Sequence, residues 1–434
     1  MRFYNREEEL KVLRKNKERS KDNAVFMVIK GRRRIGKTAL VRESEKNNRF
    51  LYFFVPKSNE TLICDQLVAA AERDLGLSLF HAGRFQDLFK QLMVYGQSNN
   101  FTFMIDEFQE LAKANGAIMS HIQNLWDTYK STSKINLIVC GSVYSMMVKI
   151  FQNYNEPLFG RATSIMDINY FRPSVIKTIL RDHNPKYLPD DLLFLYMVTG
   201  GVPKYIELFM DAGATNMKKM LDYICTKDSY FLKDAKEILI TEFGNDHGTY
   251  FSILQAISNG KNTRREINDV TGKECGTYLD NLEKEYKMIR MNRPIFSKGN
   301  SRDVRWKVSD NYLRFYFRYI NGNMTLIESN RYDILKETIK NDYQRYSGQV
   351  LEDYFKDKIA EEERFTEIGS YWDRKGENEI DIIVQNDLDK KTIVAEVKRN
   401  PKKASIDDLK KKAATTRGLD KYEIDYRILS LNDM

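Results

Sequence analysis

Cysteine and histidine are scarce in this chain of 434 residues, and long apolar runs are missing from it. The four cysteines, at positions 64, 140, 225 and 275, form no C-x-x-C pair, and the four histidines form no H-E-x-x-H motif. A zinc site or a disulfide framework is therefore not expected. No apolar run approaches the roughly 18 residues of a membrane span, and the charged N-terminal segment has no apolar signal core. We therefore expect a cytoplasmic protein with no membrane partner.

The composition is that of a globular protein with several cores. Hydrophobic residues make up 42% of the chain, charged residues 30%, and there are only 8 prolines. Such values exclude long disordered or low-complexity stretches. A chain of this length exceeds one ordinary core and indicates three or four units. The net charge of +9 favours a polyanionic partner, although an excess of lysine also serves solubility.

Residues 31–38 read GRRRIGKT and fit the Walker A pattern. An apolar run at 24–29 precedes them and helix-forming residues follow, which is the strand, loop and helix order that the motif requires. Lys37 is expected to reach the β- and γ-phosphates, and the Thr38 hydroxyl to bind Mg²⁺. The predicted ATP-binding residues are Gly31, Arg32, Arg33, Arg34, Ile35, Gly36, Lys37 and Thr38.

A second apolar run, residues 101–105, ends in Asp106 and Glu107. This is the Walker B arrangement, in which a buried strand delivers two carboxylates at its carboxyl end, where ligands of open α/β sheets bind. Asp106 is predicted to hold Mg²⁺ through water, and Glu107 to orient the attacking water. The alternative is that the acidic pair merely caps the next helix.

Two polar residues follow a third apolar run, residues 135–140. Ser142 is placed to contact the γ-phosphate as a sensor, or else to cap the following helix. Arg161, within PLFGRAT at residues 157–163, is a candidate arginine finger, although most surface arginines are only solvated. The sequence leaves both alternatives open.

The pattern of apolar residues changes along the chain and predicts four divisions. Strands alternate with helices at first, a helical stretch follows, and three short helices with a β-hairpin then indicate a winged helix. The predicted divisions are a P-loop core at 1–165, a helical lid at 166–245, a winged helix at 246–320 and a C-terminal α/β domain at 321–434. The hairpin is expected to contain residues 294–296, a polar turn and a strand at 304–308.

The predicted winged helix is basic. Between residues 261 and 307 there are 12 lysines and arginines against 7 acids. Arg264, Arg265 and Lys273 lie on the predicted helix-turn-helix, and we expect them to contact DNA phosphates. The alternative is an internal lever that packs on the ATPase, since the third helix also carries acids.

A predicted hairpin near the C-terminus brings acids together. If residues 386–391 form its loop, Asp381 lies opposite Glu396, and Glu379 lies opposite Lys398. Like charges directly opposite each other destabilise a hairpin, and a divalent cation between them would remove that penalty. The alternative is a solvated face with ordinary surface salt bridges. The other face is then apolar and consists of Ile380, Ile382, Val384, Ile393, Ala395 and Val397.

These motifs together resemble a known family. The chain is similar to predicted prokaryotic ATPases of the archaeal type, in the AAA+/STAND branch of P-loop proteins, whose C-terminal domain is similar to PD-(D/E)xK nucleases. The segments that carry the resemblance are residues 3–10, GRRRIGKT, IDEFQ at 105–109, PLFGRAT, GGVPKY at 200–205, EID at 379–381 and EVK at 396–398.

The resemblance implies a second site. By analogy, Glu352, Asp381 and Glu396 match the metal-binding acids of the nuclease pattern, and Lys398 matches the lysine that stabilises the attacking water. Mg²⁺ or Mn²⁺ is the implied metal. Nine lysines and arginines against three acids between residues 398 and 421 offer phosphate contacts nearby.

The predicted fold is therefore α/β, with a P-loop AAA+-like parallel-sheet core, a helical lid, a winged helix and a restriction-endonuclease-like domain. The predicted function is Mg²⁺-dependent ATP hydrolysis coupled to the binding of DNA or another nucleic acid, with cleavage at the C-terminal site as a further expectation. The alternative is a regulatory ATPase switch whose C-terminal domains bind a protein partner and cut nothing. A homo-oligomeric assembly is left open.

Overall fold

The computed structural model describes residues 1–80, 83–244, 247–297, 301, 303–373 and 376–434. The chain forms two compact units. The N-terminal unit is Asn5–Asn169, and the C-terminal unit combines Met1–Tyr4 with Tyr170–Met434. Within the described ranges, every helix is either too short or too polar to cross a membrane.

The N-terminal unit is built on a five-stranded parallel sheet. Its strands are β1 (Val25–Lys30), β2 (Phe50–Phe54), β3 (Phe101–Asp106), β4 (Ile135–Cys140) and β5 (Ser164–Asp167). In space they follow the order β2-β3-β4-β1-β5. Every residue of the three inner strands is buried, because helices cover both faces of the sheet. The helices are α1 (Glu7–Arg19), α2 (Lys37–Ser44), α3 (Glu60–Leu75), α4 (Phe85–Ser98), α5 (Gln109–Ala114), α6 (Ala117–Tyr129) and α7 (Tyr144–Gln152).

The first part of the C-terminal unit is mostly helical. Three of its helices begin with proline, which lacks the N–H that a first helical turn leaves unpaired. The helices are α8 (Pro173–His183), α9 (Pro189–Thr199), α10 (Pro203–Asp211), α11 (Met217–Ile224), α12 (Tyr230–Phe243), α13 (His247–Ser258), α14 (Arg264–Thr271), α15 (Gly276–Lys284), α16 (Asn311–Phe315) and α17 (Met324–Glu328). A two-stranded hairpin, β6 (Ile289–Asn292) and β7 (Arg305–Val308), lies between α15 and α16.

The last part of the C-terminal unit is a four-stranded mixed sheet with a helix before it and a helix within it. Its elements are α18 (Tyr332–Glu362), β8 (Glu367–Trp372), β9 (Glu379–Asn386), β10 (Lys391–Val397), α19 (Ile406–Ala414) and β11 (Glu423–Leu429). The strand order is β11-β10-β9-β8, with only β10 and β11 parallel. The predicted register of the β9–β10 hairpin is confirmed, since Asn386 pairs with Lys391 and Ile382 with Ala395.

The predicted apolar face of the hairpin is confirmed except at Ile380, whereas the opposite face, expected to be charged, also carries buried apolar residues. Ile382, Val384, Ala395 and Val397 belong to the large core that also includes α18 side chains. Ile380, expected beside Ile382, instead packs in a second core with the residues Ile383, Val394, Leu409 and Ala413. The face of Glu396 is therefore covered by α19, whose Lys412 contacts this carboxylate at 3.0 Å.

An irregularity in the β8–β9 ladder explains the displaced Ile380. Gly369 pairs with Ile383, and Tyr371 pairs with Ile380, so β9 has one more residue than β8 between these two pairs. Asp381 lies in that extra segment. Because side chains alternate along a strand, one inserted residue reverses the faces beyond it.

The β6–β7 hairpin also differs from the prediction. Residues 294–296 form its tip and not a strand, and Ile295 is buried in the core that contains Ile380 and Val394. The Ile295 N–H donates to the Ser370 carbonyl at 2.9 Å. The tip is thus part of the C-terminal α/β core. The predicted polar turn includes residues 298–300 and 302, which lie outside the described residues.

Buried ion pairs hold this hairpin to α18. Asp353 is 4% exposed and accepts from Lys307 at 2.6 Å, Arg314 at 2.8 Å and Arg290 at 3.1 Å. Although burial alone raises the pKa of Asp353, these cations hold that pKa well below its usual range. Burial lowers the pKa of Lys307 to about 8. Two of the three partners come from the hairpin strands, so the hairpin and α18 share one charge cluster.

Candidate functional site

Residues 31–38 form a loop between β1 and α2, at the carboxyl edge of the parallel sheet. A Cβ on Gly31 would lie 2.9 Å from the Ile168 carbonyl oxygen, so only glycine fits there. Gly36 precedes α2 with φ of 91°, a conformation that favours glycine. Ile35 is buried beneath the loop. The three arginines differ in exposure: Arg33 is exposed, whereas Arg32 and Arg34 are half-buried.

Lys37 and Thr38 open α2 and face the loop and β3, respectively. The Lys37 ammonium donates to the carbonyls of Gly31 at 2.8 Å and Arg32 at 3.0 Å. The Thr38 hydroxyl donates to Asp106 Oδ2 at 2.6 Å. The structure therefore brings the two halves of the predicted site into direct contact, although they are 68 residues apart.

Asp106 is a buried carboxylate with several donors. Besides Thr38, it accepts from the Tyr52 hydroxyl at 3.2 Å and the Cys140 thiol at 3.0 Å. Burial, and then the Asp106 charge, raises the pKa of Tyr52 well above its ordinary value, and burial does the same for Cys140. Both residues therefore remain protonated donors to Asp106. Sequence reasoning missed them, and only their places on strands that flank β3 would have indicated them.

Glu107 has φ of 57° and is held by side chains from two neighbouring segments. Its carboxylate accepts from the Ser142 hydroxyl at 2.8 Å, from the Ser142 N–H at 3.3 Å and from the Gln109 amide. Helix α5 begins at Gln109 and α7 at Tyr144, each without a side-chain cap. The capping alternatives for Glu107 and Ser142 are therefore wrong.

Arg161 lies away from this site. It pairs with Asp127 at 3.2 Å and lines a cavity of about 500 Å³ with Asn23 and Ala24, which precede β1. This cavity lies at the start of β1 and the P-loop at its end. The 6 residues of β1 therefore lie between Arg161 and the P-loop, and a strand extends by roughly 3.3 Å per residue. Arg161 therefore cannot reach the nucleotide site of its own chain.

The C-terminal acids are brought together around lysines. Lys398 Nζ lies 2.8 Å from Glu396 and 3.3 Å from Asp381, so one ammonium group contacts both carboxylates. Lys412 of α19 adds a second contact to Glu396 at 3.0 Å. The expected pairing of Glu379 with Lys398 is wrong, because Glu379 pairs with Arg305 at 2.9 Å.

Glu352 on α18 completes this acidic group, which we term the C-terminal acidic site: Glu352, Asp381, Glu396 and Lys398. Burial, and then the Asp381 charge, raises the pKa of Glu352 to about 7. Burial, and then Glu396, also raises the pKa of Asp381. Such mutual repulsion is typical of functional sites. In the part of the chain that the structure describes, no three or more His, Cys, Asp or Glu side chains are arranged to hold a metal ion.

The chain matches known proteins over nearly its full length. A family model described as "AAA domain" matches residues 20–144, and one described as "Archaea bacterial proteins of unknown function" matches residues 316–411. The uncharacterized protein MJECL04 of Methanocaldococcus jannaschii is 34% identical over 98% of this chain and 95% of its own. The chain belongs to this family of archaeal-type AAA+ ATPases. The AAA match supports ATP binding and hydrolysis by the family member described here.

One solved structure shares the fold of this protein. The Walker-type ATPase PABY2304 of Pyrococcus abyssi superimposes with a TM-score of 0.54 at 18% identity, covering 73% of this chain and 96% of its own. The ORC2 protein of Aeropyrum pernix gives a TM-score of 0.48 at 13% identity, covering 77% and 95%. The first likeness shows a shared P-loop ATPase fold.

The raised pKa of Glu352 predicts a pH-dependent stability. Its folded pKa of about 7 exceeds the ordinary 4.5, so the folded state binds the extra proton and loses stability as pH rises from 4.5 to 7. We expect Glu352→Gln to stabilise the protein at pH 8 and to have little effect at pH 5, as measured by urea unfolding. Glu337→Gln, on an exposed position of α18, is the control. A pH-independent effect of Glu352→Gln would contradict the assignment.

Proposed function

We propose that this protein binds ATP with Mg²⁺ at the P-loop and hydrolyses it. The observation that carries the proposal is the 2.6 Å contact of Thr38 with Asp106 beside Lys37. A hydroxyl and a carboxylate oxygen are donors that suit Mg²⁺, which would supply neutralisation of phosphate charge when bound. Lys37 would exchange its loop carbonyls for phosphate oxygens. Glu107, held beside Ser142, would orient the attacking water, and Ser142 would report on the γ-phosphate.

Arg161 can take part in ATP hydrolysis only at the P-loop of a second copy of the chain. Since it cannot reach its own P-loop, a role as an arginine finger requires a homo-oligomer. The exposed side chains of Tyr154 and Phe159 precede it in the same segment, and exposed aromatic side chains suit an assembly surface.

Two substitutions separate binding from turnover. Lys37→Ala should abolish tight ATP binding, because it removes the charge that neutralises the phosphates. Glu107→Gln should keep binding and lose turnover, because it impairs only water activation. Binding of a fluorescent ATP analogue and phosphate release measure the two effects. Lys46→Ala, at an exposed position shortly after α2, is the control. Equal nucleotide affinity in Lys37→Ala and the unaltered protein would refute the site.

We further propose that ATP hydrolysis is coupled to nucleic-acid binding by a winged helix at 246–320. The order of α13, α14, α15 and the β6–β7 hairpin supports this, as does the excess of basic residues. Arg264 pairs with Glu274 at 2.6 Å at an exposed site, so its charge remains close to solvent. Arg290 and Lys307 of the hairpin bind Asp353 and not solvent-exposed anions, so phosphate contacts would come from the helices. The proposed core, lid and nuclease-like domain are 1–165, 166–245 and 321–434.

The burial of the hairpin tip favours a second candidate function. A winged helix that is fastened to the C-terminal sheet suits a regulatory switch that passes the nucleotide state to a protein partner. Neutralising Arg264, Arg265 and Lys273 together distinguishes the two. If DNA is bound there, affinity falls and the log–log salt slope flattens by about 0.9 for each lost phosphate contact.

A gel-shift titration with unlabelled DNA at several salt concentrations measures this effect. The control is a triple alanine variant of exposed lysines on other helices of the same unit, namely Lys218, Lys219 and Lys236. If both variants bind DNA like the unaltered protein, the regulatory switch is the better description.

The C-terminal acidic site is proposed to be a Mg²⁺- or Mn²⁺-dependent nuclease centre. The α18-β8-β9-β10-α19-β11 order supports this, and so does the contact of Lys398 with both Asp381 and Glu396. Asp381 and Glu396 would hold the metal, which would lower the pKa of its bound water, and Lys398 would stabilise the charge of the transition state. In the structure Lys398 pairs with both Asp381 and Glu396, and Lys412 pairs with Glu396.

Asp381→Ala should abolish metal-dependent cleavage while ATP binding stays unchanged, because the two sites lie in separate units. Plasmid and single-stranded DNA, with Mg²⁺ or Mn²⁺ and with or without ATP, are the substrates to assay. Asp408→Ala, which removes an exposed acid of α19, should cleave normally. Cleavage that persists in Asp381→Ala would exclude the site.

A further inference from the structure

Gln109, the last residue of the IDEFQ segment, is a fully buried polar residue to which the nucleotide site described above assigns no role. It is 0% exposed and opens α5, two residues after Glu107. Its Nε2 donates to the Glu107 carboxylate, with a long contact of 3.5 Å to Glu110. Burying an amide is costly unless its hydrogen bonds are made. The favourable contact that Gln109 makes is therefore the one with Glu107.

The chain bends so that this contact forms. Glu107 has φ of 57°, and its carbonyl accepts from the Glu110 N–H at 2.9 Å, which turns the chain back towards β4. The Phe108 N–H donates to the Cys140 carbonyl at 2.9 Å, which fixes the turn to the end of β4. Gln109 consequently lies between the Glu107 carboxylate and residue 141.

Gly141 makes room for the amide. A Cβ at this position would lie 2.1 Å from Gln109 Oε1 and 2.6 Å from Met147 Sδ. No side chain fits there unless Gln109 moves. Gln109 Oε1 is buried and has no hydrogen-bond partner among the described residues. The amide is thus held by packing on one side and by Glu107 on the other.

We propose that Gln109 is a positioning residue for ATP hydrolysis, which fixes the Glu107 carboxylate together with Ser142, and that Gly141 provides the space it needs. This inference rests on the proposed hydrolysis of ATP at the P-loop. Gln109 contacts no reacting atom. It limits the directions in which Glu107 can point, and a misplaced carboxylate orients water poorly.

The test uses the full chain and compares kcat with nucleotide affinity. Gln109→Met keeps an unbranched side chain of similar volume but removes the amide donor. We expect kcat to fall about tenfold or more while the Kd for a fluorescent ATP analogue changes less than twofold. Gly141→Ala should give the same split. Gly116→Ala is the matched control, since a Cβ there meets nothing within 4 Å, and it should leave both constants unchanged.

A double variant tests whether Gln109 acts through Glu107. Adding Gln109→Met to Glu107→Gln should cost little more than Glu107→Gln alone, measured in single turnovers with enzyme in excess, because residues that act as a unit are not additive. Additive losses would overturn the positioning role, and so would an unchanged kcat in Gln109→Met. If Glu107→Gln itself keeps full turnover, the proposed function fails first and this inference fails with it.

Discussion

A carboxylate removed from water must be surrounded by donors, and this constraint organises both units. Asp106 is 6% exposed and Asp353 is 4% exposed. Leaving either charge unpaired would cost several kcal/mol. Asp106, at the end of β3, is therefore bound by donors from α2, β2 and β4. Asp353, on α18, is bound by cations from the β6–β7 hairpin and α16. The positions of the candidate nucleotide site and of the hairpin both follow from these contacts.

The groups of the nucleotide site are already engaged with protein atoms. Lys37 holds loop carbonyls, Thr38 holds Asp106, and Glu107 is held by Ser142 and Gln109. Binding of ATP would exchange these contacts for phosphate, metal and water. Preformed geometry of this kind lowers the cost of orientation when the ligand binds. The site is thus organised by its own polar network.

The net charge of +9 overstates the basic surface that is available to a nucleic acid. Lys307, Arg290 and Arg314 neutralise Asp353, Arg305 pairs with Glu379, and Lys398 lies between Asp381 and Glu396. A count along the sequence includes these cations among candidate phosphate contacts. The structure uses them to hold the hairpin and to balance the C-terminal acids, so the nucleic-acid proposal depends on the exposed helix positions.

The features that the sequence determined by itself each depend on residues that are close together along the chain. The P-loop and the acidic end of β3 can be recognised from the sequence because a buried strand, a turn and a helix follow one another within a few residues. The β9–β10 register is readable because loop length sets the pairing. Tertiary structure alone decided that Tyr52 and Cys140 contact Asp106 and that Gln109 contacts Glu107. It also decided that Ile295 is a core residue and that an extra residue at Asp381 reverses the faces of β9. Each of these depends on segments tens of residues apart, which parallel strands and packed helices bring together and which no local pattern encodes.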